Sequence, residues 1–167
     1  MKPLTIDLPY PSLDKIKKNP KIARRIFPLY AGAHGELNAI LSYSYYSFNF
    51  DNHFSKEVAK TLMQIATSEM KHLEILANLL IKLGQDAIFG SYSPFGFEYY
   101  SASYPSYSKT PQKMLLDAIS GELIAISDYI KTAESIEDEL VSSILLRIRL
   151  DEELHVKVLK ELLKKEY

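Results

Sequence analysis

The chain has 167 residues, of which 47% are hydrophobic and 25% are charged, and this is the composition of one ordinary globular domain. A formal net charge of -1 gives no overall bias towards nucleic acid or an anionic membrane. Cysteine is absent, which excludes disulfides, thiolate zinc sites, iron–sulfur clusters and rubredoxin-type iron centres. Any metal site must therefore be built from oxygen and nitrogen ligands.

The N-terminal segment, residues 1–27, predicts an extended arm followed by a short helix. Prolines among the first dozen residues favour extended backbone, and the stretch from Ser12 to Phe27 places lysines and arginines among aliphatic residues. We interpret this stretch as a solvated or subunit-contacting helix interrupted at Pro20, with an anion-binding patch as the alternative. The arm lacks an apolar secretory region, and aliphatic runs in the chain are too short for a membrane span. We expect a cytoplasmic protein.

Residues 28–167 predict a single domain of four helices, because apolar residues recur at helical spacing along four segments. Between the second and third segments, prolines, glycines and serines break this period and predict a long connection. One long crossover with short first and third loops is typical of an all-α, up-down-down-up four-helix bundle. We predict the helices from Pro28 to about 50, from the N-cap Ser55 to the stop Gly84, from Thr110 to about 135, and from about 137 to the C-terminus.

The long connection contains eight aromatic residues between Phe89 and Tyr107. Tyrosines and phenylalanines at this density bury ring area, so we expect them to pack across the bundle or against another subunit, with disorder as the alternative. For this reason we expect a homodimer.

Charged residues occupy positions in the helical stripes where the period requires core side chains. A buried carboxylate without a partner is strongly penalised, and several together repel one another. Two divalent cations balance four ionised glutamates when the histidines are neutral, and these stripes contain no Lys or Arg to do so. The residues are Glu36 in the first bundle helix, Glu69 and His72 in the second, Glu122 in the third, and Glu152 and His155 in the fourth.

The spacing of these residues matches a dinuclear carboxylate site. Glu-x-x-His places two side chains on one face of a helix, one turn apart, and the pattern occurs at Glu69–His72 and at Glu152–His155. One glutamate from each of two helices plus Glu-x-x-His from each of the other two is the arrangement of di-iron and di-manganese bundles. Both metals accept these ligands, so the sequence leaves iron and manganese open. Beyond the metal ligands, no catalytic residue is predicted.

Four segments resemble the ligand segments of the ferritin-like superfamily, nearest to its rubrerythrin, bacterioferritin and manganese-catalase-like branch. They are GELNAILSYSYY, TSEMKHLEIL, SGELIAISDY and LDEELHVKVL, and the resemblance extends over about residues 25–165. It implies a ferritin-like bundle whose metal ions are held by the glutamates and histidines named above, bridged either by the Glu-x-x-His glutamates or by the other two. Ala125 stands where rubrerythrins have an additional Glu, and cysteine is absent, so rubrerythrin-type electron delivery is not expected.

The resemblance is specific for the metal site but not for the reaction. Two metals bridged by carboxylates in a dry bundle core can change oxidation state together and bind oxygen or peroxide, so we expect an oxidoreductase that acts on hydrogen peroxide or dioxygen, with catalase- or peroxidase-like detoxification as the activity. Dismutation of peroxide needs no external electron donor, whereas a peroxidase or ferroxidase needs a donor that the sequence does not identify. The alternatives are a ferroxidase or iron-handling ferritin-like protein, a metal-stabilised structural assembly protein of the spore-coat kind, and a metal-free bundle whose carboxylates have raised pKa values. No nucleic-acid or membrane partner is expected.

The remaining polar candidates are assigned to packing or to the surface. Tyr43 and Tyr129 lie one heptad after the two lone glutamates, and we expect core packing with a satisfied hydroxyl, with a role beside the metals as the alternative. The other polar candidates are His34, His53, Asp128, Asp151 and Glu153. We expect helix capping or surface charge for them, and the three carboxylates are also candidates to orient a ligand histidine.

Overall fold

The computed structural model describes residues 1–166, without the side chain of Glu166. The predicted fourth helix and the predicted domain both end at Tyr167, which lies outside the described residues. Helices α2 to α5 form the four-helix bundle, with the crossover between α3 and α4, so the predicted fold class is confirmed. The elements are α1 (Pro20–Ala31), α2 (Glu36–His53), α3 (Lys56–Lys82), β1 (Gly90–Ser93), β2 (Gly96–Tyr99), α4 (Pro111–Glu134) and α5 (Glu139–Glu166).

Local capping explains where the bundle helices begin and end. The Ser55 hydroxyl accepts a hydrogen bond from the Val58 N–H at the start of α3, as the sequence predicts. Gly84, with φ of +89°, follows the end of α3 in the left-handed region that favours glycine. The Asp138 carboxylate accepts from the N–H groups of Leu140 and Val141 at the start of α5. These bonds satisfy backbone groups that a helix terminus leaves without partners.

The predicted start of the first bundle helix at Pro28 is wrong, because that residue lies inside α1. Asn19 caps α1 through its side-chain oxygen, and Pro20 opens this helix instead of interrupting it. A short turn then ends at Gly35, where a Cβ would lie 2.6 Å from the Pro28 carbonyl oxygen, so only glycine allows this approach. Since α1 crosses the boundary between residues 27 and 28, the division into arm and domain at that point stays a prediction.

The crossover contains an antiparallel hairpin of β1 and β2 that the sequence did not predict, because four-residue strands are too short to show a clear alternation. Phe27 of α1 contacts Tyr92 and Phe97 of the hairpin edge-on, each at 5.5 Å between ring centroids. This part of the aromatic connection therefore packs against α1, outside the four bundle helices, instead of across the bundle. Phe95 at the hairpin tip is 96% exposed. The homodimer stays a prediction.

The core of the bundle consists of two apolar layers, one on each side of a polar layer. One apolar layer includes Leu79 and Leu145, and the other includes Leu62 and Leu115. Residues in the polar layer are at most 4% exposed, and they are Glu36, Glu69, His72, Glu122, Glu152 and His155. None of the helices among residues 1–166 combines the length and apolarity that a membrane span requires.

Replacement of Leu79 by Ala is expected to lower the free energy of unfolding by about 2 to 5 kcal/mol, because truncation of a fully buried side chain leaves a cavity. Leu116→Ala is the matched control, since its side chain is 44% exposed and the expected change is about 0.5 kcal/mol or less. Urea denaturation of the metal-free chain measures both. Equal losses would contradict the placement of Leu79 in the core.

Candidate metal centre

The polar layer brings together all the residues that the sequence predicts as metal ligands. Their ligand atoms form two clusters, and within each cluster these atoms lie within 4.8 Å of one another. Glu69 and Glu152 belong to both clusters, which favours them as the shared pair over the two lone glutamates. The first cluster consists of Glu36, Glu69, His72 and Glu152, and the second of Glu69, Glu122, Glu152 and His155.

Both histidines direct the same ring atom, Nδ1, at the shared carboxylates. His72 Nδ1 lies 2.9 Å from Glu69 Oε2 and 3.0 Å from Glu152 Oε1. His155 Nδ1 lies 3.1 Å from Glu152 Oε2 and 3.0 Å from Glu69 Oε1. Each Nδ1 also lies within 3.7 Å of the lone glutamate of its own cluster. The two halves of the centre are therefore nearly equivalent in their inner contacts.

Two oxygens of this layer, Glu69 Oε1 and Glu152 Oε1, are buried and accept no hydrogen bond from the described residues. An imidazole Nδ1 lies 3.0 Å from each of them, but each Nδ1 makes its hydrogen bond to the other shared glutamate. A buried carboxylate oxygen without a partner is costly, and a cation supplies the missing partner. Carboxylate oxygen and imidazole nitrogen are ligands of both manganese and iron. The clusters fit a dinuclear manganese or iron site.

The protonation of the metal-free centre follows from burial and crowding. Burial and neighbouring carboxylate charges raise the pKa of Glu36 and of Glu122 well above the usual range. Burial also opposes ionisation of Glu69, but the two imidazoles hold its pKa below the usual value. Burial disfavours charged histidines too, yet the nearby carboxylates raise the pKa of His72 and of His155 well above the ordinary value. Protons therefore take the place of cations when the ions are absent.

Two tyrosines form hydrogen bonds between α2 and α4 at the two clusters. The Tyr43 hydroxyl of α2 donates to Glu122 Oε1 of α4, and the Tyr129 hydroxyl of α4 donates to Glu36 Oε1 of α2. Burial and the adjacent carboxylates raise the pKa of both phenols well above 10, so they remain donors. Core packing with a satisfied hydroxyl is confirmed, and the partner of each hydroxyl is a glutamate of the polar layer, as the alternative role beside the metals requires.

The outer ring nitrogens of the histidines have different partners. His72 Nε2 lies 3.2 Å from Asp151 Oδ2, and His155 Nε2 lies 2.9 Å from the carbonyl oxygen of Leu4. A proton on Nε2, donated outwards, leaves the Nδ1 lone pair directed into the centre, which is the tautomer that metal ligation needs.

The assignment of Asp151 to the helix surface is wrong, because its side chain is fully buried. It contacts His72 instead, as the alternative role of orienting a ligand histidine requires. The sequence signal for that role is its position directly before the Glu-x-x-His of α5. Leu4 contributes a backbone atom, so its side chain gave no signal. By contrast, the surface assignment of Glu153 is confirmed, and the exposed His34 and His53 lie outside the clusters as expected.

A cavity of about 230 Å³ opens between α2 and α4 and reaches the polar layer. Four glutamates of the clusters line its inner part, whereas the exposed Gly121 and the partly exposed Tyr104 line its outer part. A Cβ on Gly121 would meet no heavy atom within 4 Å. The cavity therefore gives a small molecule a route to the carboxylates.

A family model described as manganese-containing catalase matches residues 10–95, which is about half of the chain. The chain belongs to this manganese catalase family. The matched region includes Glu36, Glu69 and His72, and the residues of α4 and α5 lie beyond it. Family membership and the two clusters together support a di-metal carboxylate centre.

Solved structures share the fold at low sequence identity. Wild-type KatB, a manganese catalase from Anabaena, aligns with a TM-score of 0.80 and 23% identity over 96% of this chain and 78% of that chain. Rhodobacter capsulatus bacterioferritin aligns with a TM-score of 0.72 and 18% identity over 89% of this chain and 87% of that chain. These likenesses show a ferritin-like bundle.

A curated relative, Protein CotJC of Bacillus subtilis (strain 168), is 36% identical over 69 residues. This match covers 41% of the present chain and 34% of the relative, so it spans about a third of that protein.

Binding of two divalent ions is expected to release protons, since the pKa values of Glu36, Glu122, His72 and His155 are raised in the metal-free centre and metal ligation needs their deprotonated forms. The apparent metal affinity therefore rises as pH increases. Calorimetric titration with Mn²⁺ in buffers of different ionisation enthalpy measures the number of protons released. Binding without proton release would contradict this protonation.

The same groups set the pH dependence of the metal-free fold. Their pKa values are higher in the folded chain than in the unfolded chain, so their contribution to stability falls as pH rises from the unfolded values through the folded ones. Denaturation of the metal-free chain at several pH values is the control for the titration.

Proposed function

We propose that this protein is a dinuclear catalase that converts two molecules of hydrogen peroxide into two of water and one of dioxygen. The observation that carries the proposal is the paired cluster of buried carboxylates and imidazoles at the inner end of a cavity. Dismutation uses peroxide as both oxidant and reductant, so it is balanced without another electron donor. This suits a sequence without cysteine.

The proposed ligand assignment follows the two clusters. Glu36 and His72 would hold one ion, Glu122 and His155 would hold the other, and Glu69 and Glu152, which belong to both clusters, would serve both. Four ionised glutamates and two neutral imidazoles balance two divalent cations, which removes the mutual repulsion of the buried carboxylates. When bound, two ions of variable valence supply a two-electron redox unit that no side chain provides.

The protein's own groups keep this centre in one geometry. Each tyrosine donates from one helix to a glutamate on another, so Tyr43 and Tyr129 tie α2 to α4 across the centre. The outward hydrogen bonds of the histidines hold both rings with Nδ1 facing inwards. A buried, prearranged ligand set of this kind does not have to reorganise when substrate enters.

The cavity supports a small substrate. Hydrogen peroxide has two heavy atoms and fits easily in about 230 Å³, and the carboxylate oxygens on the cavity wall can accept its hydrogen bonds. The lining includes Gly121 and Ala125, whose lack of bulk leaves space between α2 and α4.

Elemental analysis followed by oxygen evolution from added peroxide, on the same sample, tests the proposal. Two manganese or iron ions per chain with oxygen evolution is the expected result. Glu69→Ala combined with Glu152→Ala is expected to abolish both, because each residue belongs to both clusters. Glu74→Ala combined with Glu161→Ala, at two exposed positions of the same helices, is the matched control and should retain both.

Other results would redirect the assignment. Two iron ions without oxygen evolution would favour peroxidase or ferroxidase turnover, and two ions without any redox turnover would favour a structural role. Failure to bind metal after reconstitution would overturn the dinuclear centre itself.

Gly121→Leu is expected to lower the rate of oxygen evolution severalfold without changing the metal content, because the larger side chain grows into the outer part of the cavity. Leucine also has a higher helix propensity than glycine, so α4 should fold normally. Gly121→Ala adds one methyl group in open space and is expected to stay near the original rate. Equal rates in all three proteins would exclude this route of entry.

A further inference from the structure

The N-terminal arm lies against α3 and α5 directly outside the metal centre. The Leu4 N–H donates to the Ser68 hydroxyl of α3 at 2.8 Å, and the Leu4 carbonyl faces the ring of His155. Two residues further along, the Ile6 N–H donates to Asp151 Oδ1 at 2.8 Å. The arm therefore contacts the outer side of both histidines, one directly and one through a carboxylate.

Asp151 is the point where most of these contacts meet. The Tyr10 hydroxyl donates to its Oδ2 at 2.6 Å, and Arg147 Nη1 lies 2.9 Å from the same oxygen. Arg147 also donates to the carbonyl oxygen of Leu8, and its guanidinium stacks over the Tyr10 ring at 4.2 Å from the centroid. These contacts hold the Asp151 carboxylate beside His72, and none of them involves a residue of the two ligand clusters.

The outer partners of the two histidines differ in charge. His72 faces a carboxylate, whereas His155 faces a neutral backbone carbonyl. A carboxylate that accepts from Nε2–H makes the opposite ring nitrogen a stronger electron donor than a carbonyl does. Arg147 offsets part of the negative charge of Asp151 but does not contact the ring nitrogen. The inner contacts are nearly equal, so this outer difference sets the two halves apart.

We infer that the arm, residues 4–10, is a structural part of the metal centre and that Asp151 makes the two metal positions unequal. The position of His72 binds a divalent ion more tightly than the position of His155. This inference rests on the dinuclear centre proposed above but not on its reaction with peroxide. Asp151, Tyr10 and the Leu4 carbonyl act as positioning groups, since none of them belongs to the ligand clusters.

Titration of the metal-free 167-residue chain with Mn²⁺ alone tests the inference, with free Mn²⁺ measured by its electron paramagnetic resonance signal. Two binding steps of different affinity are expected. His155→Ala should retain the tight step, and His72→Ala should lose it. Asp151→Asn should weaken the tight step by about 10- to 100-fold and leave the weak step nearly unchanged, because it removes the charge beside one ring only. Glu153→Gln, on the exposed face of the same helix, is the matched control.

Tyr10→Phe provides a second route if Asp151→Asn does not fold. This change removes one hydroxyl and leaves the ring to stack on Arg147, so the tight step should weaken by roughly two- to tenfold, as loss of a single hydrogen bond predicts. Tyr107→Phe is the control, because that half-exposed tyrosine donates only within the crossover.

The outcomes separate this inference from the proposed function. Two Mn²⁺ bound in equal steps, or equal losses in His72→Ala and His155→Ala, would overturn the inference and leave the dinuclear centre intact. Unchanged binding in both Tyr10→Phe and Asp151→Asn would do the same. An unsubstituted chain that binds fewer than two Mn²⁺ would overturn the centre as well.

Discussion

The burial of four carboxylates in one layer of the core is the constraint on which the rest of this structure depends. Glutamates at most 4% exposed cannot all ionise side by side without positive charge between them. The bundle meets this requirement in two ways: protons on carboxylates and imidazoles when ions are absent, and divalent cations when they are present. Metal binding and the stability of the polar layer are therefore parts of one equilibrium.

The apolar layers on both sides make this polar layer possible. They supply the packing of four long helices, and the metal-free polar layer need not stabilise the fold by itself. Around the inner ligands, the crossed tyrosine hydrogen bonds and the N-terminal arm limit the orientations available to glutamates and imidazoles. The inner contacts of the two halves are almost symmetric, whereas the outer contacts are not. Asymmetry in this protein thus originates outside the ligand set.

A catalase and a bacterioferritin share this fold, so the bundle alone does not decide the reaction. What distinguishes one such protein from another is the set of groups around the metals, the access route and the supply of electrons. In this chain the route lies between α2 and α4, where small residues leave space, and the sequence provides no thiol redox partner. These features, rather than the helices, are the basis of the proposed reaction.

The sequence by itself determined the four bundle helices and the residues of the polar layer, because helical periodicity makes a Glu or His in an apolar stripe conspicuous. It also indicated the caps at Ser55 and Gly84, since capping is local chemistry. Only the tertiary structure decided that Glu69 and Glu152 are the shared pair, that Asp151 is buried, and that the Leu4 carbonyl faces His155. Those facts depend on contacts between segments far apart in the chain. The last of them involves a backbone atom, which every residue possesses and no sequence pattern can mark.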